Sequence, residues 1–234
     1  MYNEPIEELN YKNCIIKIYN DEDPENPRKW DNLGTMFYAH RDYILGDKDI
    51  KAEEGTEEFS NWQEVENYLI KQYNPEVILP LYLYDHSGLR IKVGSFQGLL
   101  PQGHAEFDSG KIGYILVEKE KVRKEFINDD KPVKRITKKL HEQAEQVLRQ
   151  EIKTFDDYLS GNVYAYEAET KNGDFIGGCR GFFGYQDYMI SEAKSEIDYY
   201  LERKRKEKQT KVKILIKNNV NLIKRQAINE TILS

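Results

Sequence analysis

The run Val77-Ile78-Leu79-Pro80-Leu81-Tyr82-Leu83-Tyr84 is the most apolar in the chain. It stops at Asp85-His86-Ser87-Gly88, and Leu89-Arg90-Ile91-Lys92-Val93 then resumes with strict alternation. An uncharged run of this length reads as a strand buried on both faces. Asp, Ser and Gly together reverse the chain, and alternation marks a strand with one wet face. The segment is therefore a β-hairpin, which commits its neighbours to antiparallel pairing. Pro80 has no N–H to give to a ladder, so an edge or a bulge is expected there.

The remaining segments fall around this hairpin. Cys14 to Tyr19 is rich in β-branched residues and reads as a strand. Asn20 to Pro27 is a loop by composition, and Thr35 to His40 is a strand or a short buried helix. Ser60 or Asn61 caps a helix that carries Trp62, Val65, Leu69 and Tyr73 at helical spacing and ends at Asn74-Pro75. Ile112 to Val117 is a strand, and Glu118 to Phe126 a short charged helix. From Val133 to Leu159 the apolar residues Ile136, Leu140, Ala144, Val147, Leu148, Ile152 and Phe155 trace one helical stripe, with Gly161 as the stop. Val163 to Ala168 and Phe175 to Phe183 flank the hairpin turn Lys171-Asn172-Gly173-Asp174, and residues 186–208 form an amphipathic helix. Residues 1–12 read as a loosely held arm, 46–61 as a solvated loop, and 94–110 as a loop of the length that often carries function. The order predicts an α+β fold: a largely antiparallel mixed sheet with three main helices. The expected organisation is one domain over residues 1–202 and a C-terminal extension over 203–234, part helix or part strand beyond Lys211.

Charge separates those two parts. The 234 residues carry a net charge of -6, but the first 202 hold 25 basic and 39 acidic side chains, a net of -14. Residues 203–234 hold ten Lys and Arg against Glu207 and Glu230, a net of +8. An acidic body argues against direct nucleic-acid binding by that body, because gripping the phosphate backbone needs a cationic surface. The stretch Arg203-Lys204-Arg205-Lys206 is either a solvated helix end or an anion-contacting tail. Seventeen tyrosines supply amphipathic surface. Two cysteines are too few for a disulfide scaffold and point to a reduced, cytoplasmic setting. Met1 to Pro5 lack the features of a secretory signal, and no apolar run of about 18 residues suggests a membrane span.

Three blocks place Asp beside Gly and small polar residues at the edge of apolar runs: Trp30 to Met36 with His40, Tyr84 to Gly88, and Phe107 to Gly110. Strand ends of this kind are where a scaffold stops and a site begins. The candidate catalytic residues are Asp31, His40, Asp85, His86 and Asp108. The candidate binding residues are Tyr84, Asp85, His86, Ser87, Asp108 and Ser109, with Arg203, Lys204, Arg205 and Lys206. The corners are expected to share one rim of a single sheet. The competing reading is architectural, since an Asp before Asn or Ser-Gly caps its own turn. Asp85-His86-Ser87 is a triad in letters only, because sequence neighbours in a turn point different ways. No metal signature, P-loop or nucleophile elbow is present, so neither metal nor cofactor is expected. Gly177-Gly178, Gly181 and Gly184 suit a strand bulge better than a phosphate loop. Cys14 sits in an apolar strand and reads as inert, while Cys179 beside Arg180 is a weak candidate for a reactive thiol.

The blocks Trp30-Asp31-Asn32-Leu33-Gly34-Thr35-Met36, Leu79 to Gly88, and Phe107-Asp108-Ser109-Gly110-Lys111-Ile112-Gly113-Tyr114-Ile115 resemble a family of uncharacterised accessory proteins. Bacteriophages, prophages and plasmids carry these proteins, chiefly in Gram-positive bacteria. The resemblance spans roughly residues 25–190 and brings no assigned reaction. It implies a small mobile-element protein working in the bacterial cytoplasm. Genes in that setting often encode inhibitors of host defence, including restriction and CRISPR nucleases. The first expectation is therefore a non-catalytic protein whose acidic, tyrosine-rich surface binds and inhibits a host defence protein or nuclease complex. A metal-assisted phosphate or nucleotide hydrolase is the second, with Asp31, Asp85, His86 and Asp108 as ligands and His40 as acid or base. A small-nucleotide sponge, closed by the glycine-rich 94–113 loop, is the third. The extension is expected to pack on a partner or on another copy in a homo-oligomer.

Overall fold

The chain builds one unit from its middle and a second from its two ends. In order, the elements are β1 (Glu7–Tyr11), β2 (Cys14–Asn20), β3 (Thr35–Tyr38), β4 (Lys48–Asp49), α1 (Trp62–Tyr73), β5 (Pro75–Asp85), β6 (Leu89–Val93) and β7 (Ser109–Glu118). Then come α2 (Lys119–Glu125), the two-residue strands β8 (Ile127–Asn128) and β9 (Lys131–Pro132), α3 (Lys138–Leu159), β10 (Val163–Thr170), β11 (Phe175–Phe183) and α4 (Gln186–Asn219). The computed structural model describes residues 4–52, 59–99, 107–128, 131–184 and 186–219. The middle of the 94–110 loop (residues 100–106) and residues 220–234 of the extension lie outside the described residues.

The fold class is α+β, with sheets of four and five strands and a two-stranded β8–β9 ribbon where one sheet was expected. By contacts the described residues between 21 and 163 form one compact unit, and those of 4–20 and 164–219 form the other. Antiparallel pairing dominates both sheets, and β3 with β4 is the parallel exception.

In the middle unit the strand order is β4-β3-β7-β5-β6. The strand buried on both faces is β7, not β5: Ile112 to Val117 are all buried, whereas β5 alternates through Val77, Leu79, Leu81 and Leu83. The reason is position. β7 lies between β3 and β5, and helices cover both of its faces. Leu140, Ala144, Leu148, Ile152 and Phe155 of α3 pack with Met36, Leu81, Ile115 and Val117 on one side. Val65 and Leu69 of α1 pack with Phe37, Tyr114 and Leu116 on the other. Pro80 is tolerated inside the sheet because its missing donor falls where β6 has ended. The β5–β6 ladder begins at Leu81–Val93, and the Pro80 carbonyl accepts from Gly94 N–H at 2.9 Å. The expected irregularity follows at once, between Leu81 and Tyr82 on the β7 side. Gly113 is needed where β3 and β7 pair, since a Cβ there would strike the Phe37 carbonyl.

Local signals set the helix ends. The Asn61 side chain accepts from Gln63 and Glu64 N–H to start α1, and Asn74 in the left-handed region closes it. The Thr137 side chain accepts from Leu140 N–H to start α3.

In the other unit the order is β1-β2-β10-β11, and α4 lays Met189, Ala193 and Ile197 over Cys14, Ile16, Ile18, Tyr166 and Ala168. Residues 7–11 are thus a paired strand, not a loose arm. Lys12 and Asn13 both take positive φ, which suits the two-residue turn joining β1 to β2. Helix α4 runs eleven residues beyond the expected 208, to Asn219, so the described part of the extension is helical. No helix among the described residues is long and apolar enough to cross a membrane.

Candidate functional site

Six of the expected binding residues meet at one end of the five-stranded sheet. β5 delivers Tyr84 and Asp85, the exposed turn delivers His86 and Ser87, and the start of β7 delivers Asp108 and Ser109. Tyr84 stands opposite Ser109 in the ladder, and Asp85 N–H donates to the Asp108 carbonyl at 2.9 Å. His86 Nδ1 lies 3.2 Å from Asp108 Oδ2. The Tyr84 ring stacks on His86 with centroids 6.0 Å apart and tilts against Phe96 at 5.8 Å. Ser87 holds a positive φ at the exposed turn tip. A carboxylate that orients an imidazole is the arrangement used to move protons. Here the imidazole is 50% and the carboxylate 29% exposed. A pair so wet contributes at most about 1 kcal/mol.

The other candidates do not join this corner. His40 follows β3, and its Nδ1 accepts from Asp42 N–H at 3.1 Å and Tyr43 N–H at 3.2 Å, while its ring stacks on Tyr43. That imidazole caps a turn. Asp31 lies at the opposite end of the sheet. It precedes β3, whose Thr35 pairs with Leu116, whereas Asp108 precedes the other terminus of β7. The two ends are about 25 Å apart along the strand. The shared rim expected from the sequence is therefore two separate corners. Among the described residues no group of three or more His, Cys, Asp or Glu could hold a metal ion.

The corner at Asp31 is built by residues that the sequence did not single out. Glu151 of α3 accepts from Leu33 N–H at 2.7 Å and Gly34 N–H at 3.2 Å. Arg28, its side chain only 4% exposed, joins Glu151 at 3.2 Å, pairs with Asp47 and donates to the Gly34 carbonyl. Asp47 also accepts from Met36 N–H at 2.7 Å. Burial pushes the Glu151 carboxyl above its usual value, against the opposing influence of Arg28 and of the two N–H groups. Gly34 has no room for a side chain: a Cβ would lie 2.7 Å from Ile115 Cδ1. Asn32 folds its amide onto the Pro27 and Trp30 carbonyls. The Trp30 to Met36 block is therefore a clamp between β3 and α3. No sequence pattern marked Glu151, which adjoins the α3 stripe like any solvated residue.

A second polar group in this unit was equally silent. Tyr114 O–H lies 2.8 Å from the Trp62 carbonyl and 3.1 Å from Glu66, and Lys111 donates to the phenol oxygen. Burial raises the phenol's pKa and lowers that of Lys111.

The tail residues Arg203, Lys204, Arg205 and Lys206 occupy consecutive positions on the exposed part of α4, so they encircle the helix rather than forming one face. Lys206 pairs with Glu202 at 2.7 Å, Arg203 with Glu207 at 3.8 Å, and Lys204 lies over the Tyr200 ring. The bond to Glu202 raises the Lys206 pKa. In the same unit, Gly177 is glycine because a Cβ would collide with the Glu196 carboxylate, which also accepts from Tyr166 O–H at 2.9 Å. A carboxylate at that place repels phosphate; Gly178 likewise leaves no room for a Cβ beside the Tyr166 carbonyl, while Gly181 and Gly184 hold positive φ. Cys14 is buried, with its thiol pushed up by burial, and Cys179 is exposed. Tyrosine is partly withdrawn into the cores, where Tyr19, Tyr38, Tyr114 and Tyr166 are buried, while Tyr43, Tyr188 and Tyr199 are well exposed.

No protein-family model, curated protein or solved structure matches the chain.

Proposed function

We propose that the chain is a non-catalytic binding protein of a phage or other mobile element that acts in the bacterial cytoplasm and inhibits a host defence nuclease of restriction or CRISPR type. The observation that carries this reading is the separation of the candidate catalytic groups. Asp31 stands at one end of β7, Asp85, His86 and Asp108 at the other, and His40 is committed to backbone N–H groups. A hydrolase assembled from all five would need them within a few ångströms of one substrate. What remains is the acidic middle unit: residues 21–163 hold 20 basic and 28 acidic side chains, a net of -8, which suits competition for a cationic nucleic-acid channel. The resemblance of the three blocks to mobile-element proteins supports the setting.

The test is association of the purified full chain with defence nucleases from its host range at moderate salt, together with their cleavage activity. Inhibition that survives Asp85→Ala and Asp108→Ala supports the reading. Absence of any association overturns it. So does hydrolysis of a phosphate ester that disappears in those variants while the melting temperature holds. A nucleotide sponge would instead respond to a thermal-shift screen with cyclic nucleotides, since a ligand at 100 times its Kd adds about 2.7 kcal/mol.

A further inference from the structure

The Asp31 corner opens onto a cleft of about 300 Å³ between the Trp30–Leu33 turn, the C-terminal end of α2 and the middle of α3. Its walls are of two kinds. Trp30, Leu33, Phe126 and Val147 provide apolar and aromatic surface, and the Trp30 indole is 42% exposed. Asp31 and Glu125 provide two exposed carboxylates. Two cations of the corner are committed elsewhere. Arg28 is bound to Asp47, Glu151 and the Gly34 carbonyl, and Lys121 donates to the Asn32 carbonyl. The Glu151 carboxylate at the back of the cleft is likewise taken by Arg28 and two backbone N–H groups.

An exposed indole, two exposed carboxylates and apolar side chains lining one cleft make a receptor for a cation on an aliphatic stem. The ring face attracts an ammonium or guanidinium group, the carboxylates accept its N–H bonds, and the floor takes the methylenes. The volume is at the small end of ligand cavities, the scale of one long side chain. We propose that this cleft receives a single arginine or lysine side chain from the protein partner. The inference rests on the binding-protein reading and names the contact that anchors it. An arginine seated on Trp30 would be the central, desolvated contact of such an interface, with the acidic body supplying the surrounding attraction.

The chain has two tryptophans, so Trp62→Phe leaves Trp30 as the only indole reporter. The experiment titrates the full chain with a short peptide carrying one arginine, with the same peptide carrying citrulline in its place, and with spermidine. Trp30 fluorescence follows binding in the Trp62→Phe protein, and calorimetry follows it in the unaltered chain. Saturable binding of the arginine peptide and rejection of the citrulline peptide are expected. Asp31→Asn with Glu125→Gln should weaken binding at least about tenfold with the melting temperature unchanged, because both carboxylates are exposed. Equal binding of citrulline, undiminished affinity in the carboxamide variant, or binding of spermidine alone would overturn the inference. The same variant is assayed against the nuclease. Retained inhibition with peptide binding lost overturns the anchoring role and leaves the inhibitor reading intact. Retained peptide binding with no nuclease partner overturns the inhibitor reading and leaves the ligand class of the cleft standing.

Discussion

The two ends of β7 carry corners written in the same letters, Trp-Asp-Asn-Leu-Gly at one and Asp-His-Ser-Gly with Asp-Ser-Gly at the other. They are used in opposite ways. At the first, a carboxylate from α3 reaches across to hold two backbone N–H groups and a buried guanidinium. At the second, the carboxylate and imidazole meet each other on the wet rim of a turn. The difference lies in what each corner meets. Glu151 of α3 faces the first corner. One helical stretch later, Asp156 grips Arg90 and Ile91 N–H of β6, not the His86 turn. Similar turn chemistry becomes a buried clamp where a helix supplies the partner and remains exposed polarity where none arrives.

The sharpest way to break this contrast is Glu151→Ala. It strands the Leu33 and Gly34 N–H groups and removes one of the two carboxylates on Arg28, and it should cost about 3 kcal/mol in urea unfolding. A cost below about 1 kcal/mol would place Glu151 among ordinary surface residues. Gly34→Ala comes next. The new methyl must displace Ile115 and Glu151, and a loss of about 2 kcal/mol is expected in the same assay. A finer probe is pH. The folded chain holds the Glu151 proton more tightly than an unfolded chain does at the usual value of 4.5. Stability from this group is therefore present below that value and falls as pH rises through the folded titration. Unfolding midpoints across the mildly acidic range should show the wild type losing ground to Glu151→Gln as pH rises, and the opposite slope would mean that Arg28 outweighs burial. The smallest effect belongs to the other corner. His86→Ala with Asp108→Ala should change stability by less than about 1 kcal/mol, because the pair is exposed. A larger loss would show that this corner too is a clamp.

Much of the secondary structure was legible because its signals are local. The Asn61 cap, the Asn74-Pro75 stop, the α3 stripe and the Asp85–Gly88 reversal each depend on residues within a few positions of one another. The arm at residues 1–12 was misread because pairing with β2 is a partnership, and one polar strand edge shows no pattern on its own. Burial was assigned to β5 and belongs to β7, since Gly113, Tyr114 and the flanking apolar residues of β7 gave a shorter run than Val77 to Tyr84. Of the candidate site, the meeting of His86 with Asp108 was implied by their expected positions at strand ends. The places of Asp31 and His40 were not, because which terminus of a strand a loop reaches depends on strand order.

The sequence by itself determined the alternation of strands and helices, the antiparallel habit, and the unequal charge of body and tail, all of which follow from short-range periodicity and composition. Only the tertiary structure decided that the long strands divide between two main sheets, that Glu151 and Arg28 fasten the Trp30 block, and that Trp30, Asp31 and Glu125 line one cleft. Those facts join residues up to more than a hundred positions apart. Burial, desolvation and hydrogen-bond satisfaction at such contacts are set by packing, which no local pattern records.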